Sequence, residues 1–254
     1  MPHREYVLMI DNFEFGRLVV IGDLLLDQYV FGSVGRISPE APVPVLLKSH
    51  QKVVPGGAAN VAVNAAALGC SVALVGVVGA DKNAAALKQA LSLWPLITAQ
   101  GLVEHSGWAT ISKMRVLSGQ QQIVRIDEET VIEFPLELQN RLIEACKTAL
   151  ETADVLICSD YAKGVLSENV LQNVIDYARS KNIPVIVDPK RHNFSCYLVV
   201  SLITPNRGEM ARATGFPLHP NQEVEHAAQA ASAPFGGDVL LTRSEKGKIP
   251  WPRN

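Results

Sequence analysis

Short apolar runs separated by helix-favouring stretches dominate the chain from Arg17 onward. Leu18-Val19-Val20-Ile21 followed by Gly22-Asp23 reads as a buried strand whose carboxyl end opens a loop. Between Gln28 and Val54 the pattern is extended, and Pro39, Pro42 and Pro44 exclude helix, so a small accessory sheet is expected there. Small, helix-favouring residues fill 58–68, with Gly69 at the position of a C-cap. Buried strands are then expected at 72–78, 155–158 and 185–187, and helices near 84–93, 135–151 and 168–181. This alternation predicts an α/β fold, a mostly parallel sheet flanked by helices, with ligands beyond the carboxyl ends of its strands.

One segment departs from that rhythm. Residues 110–117 and 120–126 are extended around Ser118-Gly119, which predicts a hairpin and a second part of the small sheet. With the turn at those two residues, Lys113 and Arg115 share one face and Arg125 stands opposite Ser112. Residues 1–16 show no period and read as an extension. The segment from Thr242 to Asn254, with Pro250 and Pro252, is expected to finish no element.

Composition narrows the function. Of 254 residues 48% are hydrophobic and 19% charged, enough for a large core without disulfides or structural metal. Cys70, Cys146, Cys158 and Cys196 form no CxxC pair, which fits reduced thiols and a cytoplasmic setting. With 23 basic against 25 acidic residues no nucleic-acid partner is indicated. No apolar run is long enough for a membrane span. Six histidines are scattered singly and suggest neither catalysis nor metal binding.

Candidate chemistry centres on Gly56-Gly57-Ala58-Ala59-Asn60. Two glycines at a helix start let a ligand approach the backbone, and the free N–H groups there attract oxygens. The same residues also suit a plain turn feeding a packed helix. Asp27 suits a loop cap or a ligand contact; Asp160 and Lys163, just past a strand end, suit a surface salt bridge or a site. Lys113 and Arg115 suit a phosphate clamp or a solvated strand face. Asn206 and Glu209 have the spacing of a capping box, and Glu209 also suits a magnesium ion, directly or through water. No GxxxxGK[ST] or GxGxxG motif occurs.

Gly56-Gly57, Asn60, Ala62, Gly69 and Gly79 together resemble the first signature of the ribokinase-like (PfkB) carbohydrate kinases. Within that family, Gly22-Asp23 through Asp27, Arg36-Ile37-Ser38-Pro39-Glu40-Ala41-Pro42 running on to Val45, Ser159-Asp160-Tyr161-Ala162-Lys163-Gly164 and Asp188-Pro189-Lys190 are similar to the heptose 7-phosphate kinases of ADP-heptose synthesis. The resemblance spans 17–247. It implies a kinase domain that uses ATP and Mg2+ and binds a sugar phosphate over Gly56, Gly57, Asn60 and Asp27, with Lys113, Arg115, Asp160 and Lys163 around it and the small sheet as a lid. The nucleotide side would be Lys190, Asn206, Arg207, Gly208, Glu209, Thr242, Ser244 and Gly247, and a homodimer through the small sheet is a family habit.

The resemblance also implies a Gly-Ala-Gly-Asp segment that supplies the catalytic aspartate and the N–H groups that stabilise developing charge. The 254 residues contain none, and 248–254 diverge. The expectation is an incomplete kinase domain of low turnover, missing two strands and their covering helix. A non-catalytic sugar-phosphate binder, and a kinase for another sugar or a nucleoside, are the alternatives.

Overall fold

A computed structural model of the chain describes residues 15–130, 132–191, 193–197, 199–215, 237–242 and 248–251. Its frame is an eight-stranded sheet. In chain order the strands are β1 (Arg17–Gly22), β4 (Ser71–Val78), β5 (Ile97–Glu104), β8 (Val155–Ser159), β9 (Val185–Asp188), β10 (Leu202–Ile203), β11 (Asp238–Thr242) and β12 (Lys248–Trp251). Their spatial order is β12-β11-β10-β9-β8-β1-β4-β5, parallel throughout except for antiparallel β12. Five helices accompany the described part: α1 (Ala58–Ala67), α2 (Lys82–Leu91), α3 (Leu136–Leu150), α4 (Glu168–Ser180) and α5 (Arg207–Thr214).

Both faces of this sheet are buried, which explains why β1 reads as an unbroken apolar run rather than an alternating one. Val19 and Ile21 pack with Leu138, Leu142, Val170 and Val174 of α3 and α4. Val20, between them in sequence, packs on the other side with Ala58, Ala62 and Leu87 of α1 and α2. Each fully buried Leu or Ile on these faces contributes about 2 kcal/mol. The alanines of α1 let its axis lie close to the sheet, and Gly69 just past its end has φ 97°, ending the helix as the sequence suggests.

From β1 the chain steps outward to β4 and β5 on one side, then returns to build β8, β9, β10 and β11 on the other. The strands β1 and β8 therefore flank a topological switch point, where loops leave in opposite directions and open a crevice.

The second sheet has four strands, ordered β3-β2-β6-β7: β2 (Leu24–Ile37), β3 (Pro44–Gly57), β6 (Ile111–Ser118) and β7 (Gln121–Glu128). The start of β2, the end of β3, the start of β6 and the end of β7 all lie at one end, where the small sheet joins the body.

Three sequence expectations are corrected. The hairpin turn is Gly119-Gln120, not Ser118-Gly119, and an irregularity between Val116 and Leu117 shifts the register, so Arg125 faces Arg115 and Ser112 faces Glu128. Gly119 has φ 58°, so it is the residue that the turn needs to be glycine. The strand β5 escaped notice because its apolar positions are interrupted by Gln100 and Gly101. Within the divergent tail, Lys248–Trp251 forms β12 against β11, so that edge is paired.

Candidate active site

The crevice at the switch point is organised by Asp23, the residue after β1. Its carboxylate accepts hydrogen bonds from the backbone N–H groups of Tyr161 (2.9 Å), Lys163 (3.0 Å) and Val165 (3.1 Å), and its carbonyl accepts from the N–H of Ala58 at the start of α1 (2.9 Å). One residue thus fastens the loop after β8 to the glycine platform. The side chain is 1% exposed, and burial, reinforced by the nearby Asp160 charge, pushes its pKa up to about 6 against the three N–H donors that pull it down.

The platform itself demands glycine twice. Gly57 has φ 58°, and a Cβ there would collide with Leu25 and the Asp23 carbonyl. At Gly56 a Cβ would collide with the Asp27 carboxylate. No side chain caps α1 and no acidic residue lies in its first turn; of its leading N–H groups, that of Ala58 is taken by the Asp23 carbonyl. Asn60 is exposed on that first turn.

Strand pairing sets Asp27 beside Lys113 and Tyr29 beside Arg115, so alternation directs Asp27, Lys113 and Arg115 to one face of the small sheet. The Arg115 guanidinium bonds Asp27 (Nη1 to Oδ1, 2.5 Å) and lies 5.3 Å from the Tyr29 ring centre. Two cations and one carboxylate therefore stand together next to the glycine pair.

Asp160 and Lys163 are both engaged with protein groups. Asp160, 2% exposed, accepts from Arg191 Nε (2.8 Å), the Tyr197 hydroxyl (2.7 Å) and the Ala162 N–H (2.8 Å). Arg191 also bonds the Leu166 carbonyl. This closes a buried clamp between loop 160–166 and the segment after β9, and Ala162 is held at φ 55° inside it. Lys163 Nζ pairs with Glu129 Oε1 at 2.9 Å.

A second region lies at the ends of β9, β10 and β11. Asp188, Lys190, Thr204, Asn206, Glu209, Leu240 and Thr242 line a pocket of ≈ 300 Å³. The capping-box reading of Asn206 and Glu209 is realised: Asn206 Oδ1 accepts from the Glu209 N–H (2.9 Å), and Glu209 Oε2 accepts from the Asn206 N–H (2.7 Å). The other Glu209 oxygen holds Lys190 Nζ at 2.7 Å. Burial and then the Glu209 charge push Asp188 up to about 6. Thr242 joins by donating its N–H to the Pro205 carbonyl (2.9 Å). Arg207 and Gly208 open α5 at the rim; a Cβ on Gly208 would approach only Asn206 and Arg212, at 3.3 and 3.4 Å. Ser244 and Gly247 lie outside the described residues.

A cation suits this second region. Two carboxylates sit within electrostatic reach of each other, Asp188 raised in pKa first by burial and then by the Glu209 charge, with Thr204 and Asn206 oxygens nearby, a hard-oxygen set that a divalent ion would relieve. Among the described residues no three His, Cys, Asp or Glu side chains cluster as a metal site, so most of such an ion's shell would be water and ligand oxygen.

Sequence reasoning singled out the glycine pair and the cations, but it passed over the hub Asp23 and the clamp partners Arg191 and Tyr197. A carboxylate directly after a central buried strand was the available signal for Asp23; nothing local marked the other two.

Compared with known proteins, residues 16–249 match the pfkB family carbohydrate kinase profile. The chain belongs to the pfkB family of carbohydrate kinases. Among its relatives, "Bifunctional protein HldE" of Gluconobacter oxydans (strain 621H) is 57% identical over 243 residues, 96% of this chain and 51% of that protein. The protein of the same name from Azorhizobium caulinodans is 49% identical, again over 96% of this chain and 51% of its own length. The chain thus spans about half the length of these relatives. Among solved pfkB-type folds, phosphofructokinase-2 from Escherichia coli in complex with substrates and products superposes with a TM-score of 0.74 at 20% identity, over 95% of this chain and 76% of that one. Arabidopsis thaliana ribokinase complexed with ribose and ATP gives 0.69 at 18%, over 94% and 75%. These two likenesses concern the fold.

Proposed function

We propose that this chain is the kinase part of a heptose 7-phosphate kinase, built to pass the γ-phosphate of ATP to the anomeric hydroxyl of D-glycero-D-manno-heptose 7-phosphate in ADP-heptose and lipopolysaccharide core synthesis. The observation that carries this reading is the convergence of Gly56, Gly57 and Asp27 with Lys113 and Arg115 over the mouth of the switch-point crevice. A sugar needs a backbone platform and a carboxylate for its hydroxyls; a phosphate already on the sugar needs neighbouring cations. The small sheet serves as the lid that brings them together.

In this reading ATP occupies the second region, with its phosphates toward Lys190 and the start of α5, and Thr242 at its edge. Mg2+ would be held by Asp188 and Glu209, partly through water, and would supply charge neutralisation on the phosphates. Glu209 reaches the ion only by loosening Lys190, which is then free for a phosphate oxygen. Asp160 acts as a positioning residue through its clamp on loop 160–166. The protein works in the cytoplasm, and the small sheet offers the surface for a homodimer.

Because the 254 residues contain no Gly-Ala-Gly-Asp, they provide neither the aspartate that would take the proton of the sugar hydroxyl nor its accompanying N–H donors. A protein without those groups is expected to turn over about 100-fold or more slowly than one that has them. A second reading is sugar-phosphate binding without catalysis, for which the glycine pair, Asp27 and the two cations would suffice. Calorimetry with heptose 7-phosphate, paired with phosphorus NMR of the ATP reaction, tests both. Binding with slow or no formation of the anomeric phosphate is the expected result; absence of binding removes the heptose assignment, and turnover at the rate of a chain containing the segment removes the claim of low activity.

A further inference from the structure

The reverse face of the small sheet carries a run of side-chain hydrogen bonds that the candidate site does not use. Gln51 Nε2 donates to Gln28 Oε1 (2.8 Å), and Gln28 Nε2 donates to Asn83 Oδ1 (3.3 Å). Asn83 Nδ2 in turn donates to Glu128 Oε2 (3.0 Å), which also accepts from Ser112 Oγ (3.2 Å). Four of these residues come from the four strands of the small sheet. The fifth, Asn83, belongs to helix α2 of the body.

Their placement gives the run a mechanical meaning. All four strands leave the body at one end and project freely at the other, so the sheet is a lever with its support at the base. Strand alternation puts Leu26, Gln28, Ser112 and Glu128 on the face toward α2, and Asp27, Lys113 and Arg115 on the opposite face. Gln28 and Ser112 are 8% and 3% exposed, so their polar atoms meet fixed partners rather than bulk water. Asp27 lies roughly 10 Å up the strand from the base, where a tilt of about 10° moves a carboxylate by about 2 Å, enough to spoil a hydrogen-bonded site.

We propose that Asn83 is a positioning residue: by bonding Gln28 with its carbonyl and Glu128 with its amide, it fixes the angle of the small sheet against the body and so sets Asp27 over the glycine platform. The consequence for a sugar rests on the function proposed above; the latch itself does not.

Hydrogen exchange of the full chain, without ligand, reads the latch directly. Asn83→Asp keeps the acceptor for Gln28 but sets a carboxylate against Glu128, and is expected to speed exchange in β2, β6 and β7 by about tenfold while α3 and α4 stay unchanged. Glu128→Gln alone keeps an acceptor for Asn83 and leaves exchange as it was. The double variant Asn83→Asp/Glu128→Gln restores a donor facing an acceptor and returns the small sheet to wild-type protection. If the single variant leaves the small sheet protected, or the double variant fails to rescue it, the latch is wrong. Should Asn83→Asp fold poorly, Gln28→Met cuts the same run from the other side and must loosen the same three strands. Variants that follow this pattern, together with a wild-type chain that binds no heptose 7-phosphate, overturn the proposed function and leave the latch standing.

Discussion

Arg115 Nη1 lies 2.5 Å from Asp27 Oδ1, joining adjacent strands of the small sheet with side chains that are 24% and 22% exposed. A pair this accessible to water contributes about 1 kcal/mol or less to stability, because solvation and side-chain entropy offset most of the attraction. Its value is positional: each charge holds the other at the mouth of the crevice. Asp27→Asn is therefore expected to change the melting temperature by less than about 3 °C while weakening heptose 7-phosphate binding by about tenfold or more. Calorimetry beside thermal unfolding checks the split; equal binding in the variant would remove Asp27 from the site.

Gly57 and Gly119 share φ 58° but differ in surroundings. An added Cβ at Gly119 meets nothing within 4 Å, whereas at Gly57 it strikes Leu25 and the Asp23 carbonyl. Gly119→Ala is expected to cost about 1 kcal/mol from backbone strain alone. Gly57→Ala should cost about 3 kcal/mol or more, since the backbone must also move. Urea denaturation of the two variants gives the comparison directly, and similar losses would contradict it.

The pKa of Asp23 sets a pH dependence. A carboxyl raised from 3.8 to about 6 in the fold binds a proton that the unfolded chain has already released. Its contribution to stability is fully present below about pH 4 and is lost as pH rises through about 6, on the order of 3 kcal/mol. Asp188, also raised to about 6, adds in the same direction. Asp23→Asn lowers stability at every pH, because its amide group now faces N–H donors, but it flattens the slope between pH 4 and 7. Denaturation curves across that range decide the matter, and an unchanged slope would count against the buried-carboxylate account.

Removing Arg191 leaves Asp160 buried with its charge uncompensated. Arg191→Ala is expected to cost about 3 kcal/mol, and Tyr197→Phe, which removes one neutral donor, about 1 kcal/mol. The order of the two melting temperatures tests whether the clamp is held mainly by charge. A larger loss from Tyr197→Phe would reverse that view.

On the proposed nucleotide side, Glu209→Gln keeps an oxygen for the Asn206 N–H but removes the charge facing Lys190 and Asp188. ATP binding followed with a fluorescent analogue is expected to lose most of its enhancement by Mg2+, while magnesium-free binding changes little. Lys190→Met should weaken both. Undiminished magnesium enhancement in Glu209→Gln would take that carboxylate out of the proposed metal site.

Much of this was readable from the chain because it depends on local pattern. The apolar run in β1, the alanine-rich α1 and the glycine pair state their roles through burial and steric need. Other features depend on partners remote in sequence. In the sequence Asp160 suits a surface salt bridge or a site, and its burial shows only when Arg191 and Tyr197, more than 30 residues later, fold over it. The turn at Gly119-Gln120 shows how one irregular residue changes a register: the sequence marks a hairpin, but only the sheet reveals that Arg125 faces Arg115. Asn83 looks like an ordinary first-turn helix residue, and its meaning comes from two strands that reach it across the base of the small sheet.

The bonds from Asp23 also impose an order on folding. Its partners Tyr161, Lys163 and Val165 follow it by 138 to 142 residues, and β8, which presents them, must first settle against β1. During synthesis the glycine pair, α1 and β4 can assemble well before that strand exists, but the loop contacts that lock Asp23 cannot. The glycine pair is therefore among the earlier parts of the molecule to be made and among the later ones to be locked, and a ribosome stalled before β8 would hold it with one wall of the crevice still unmade.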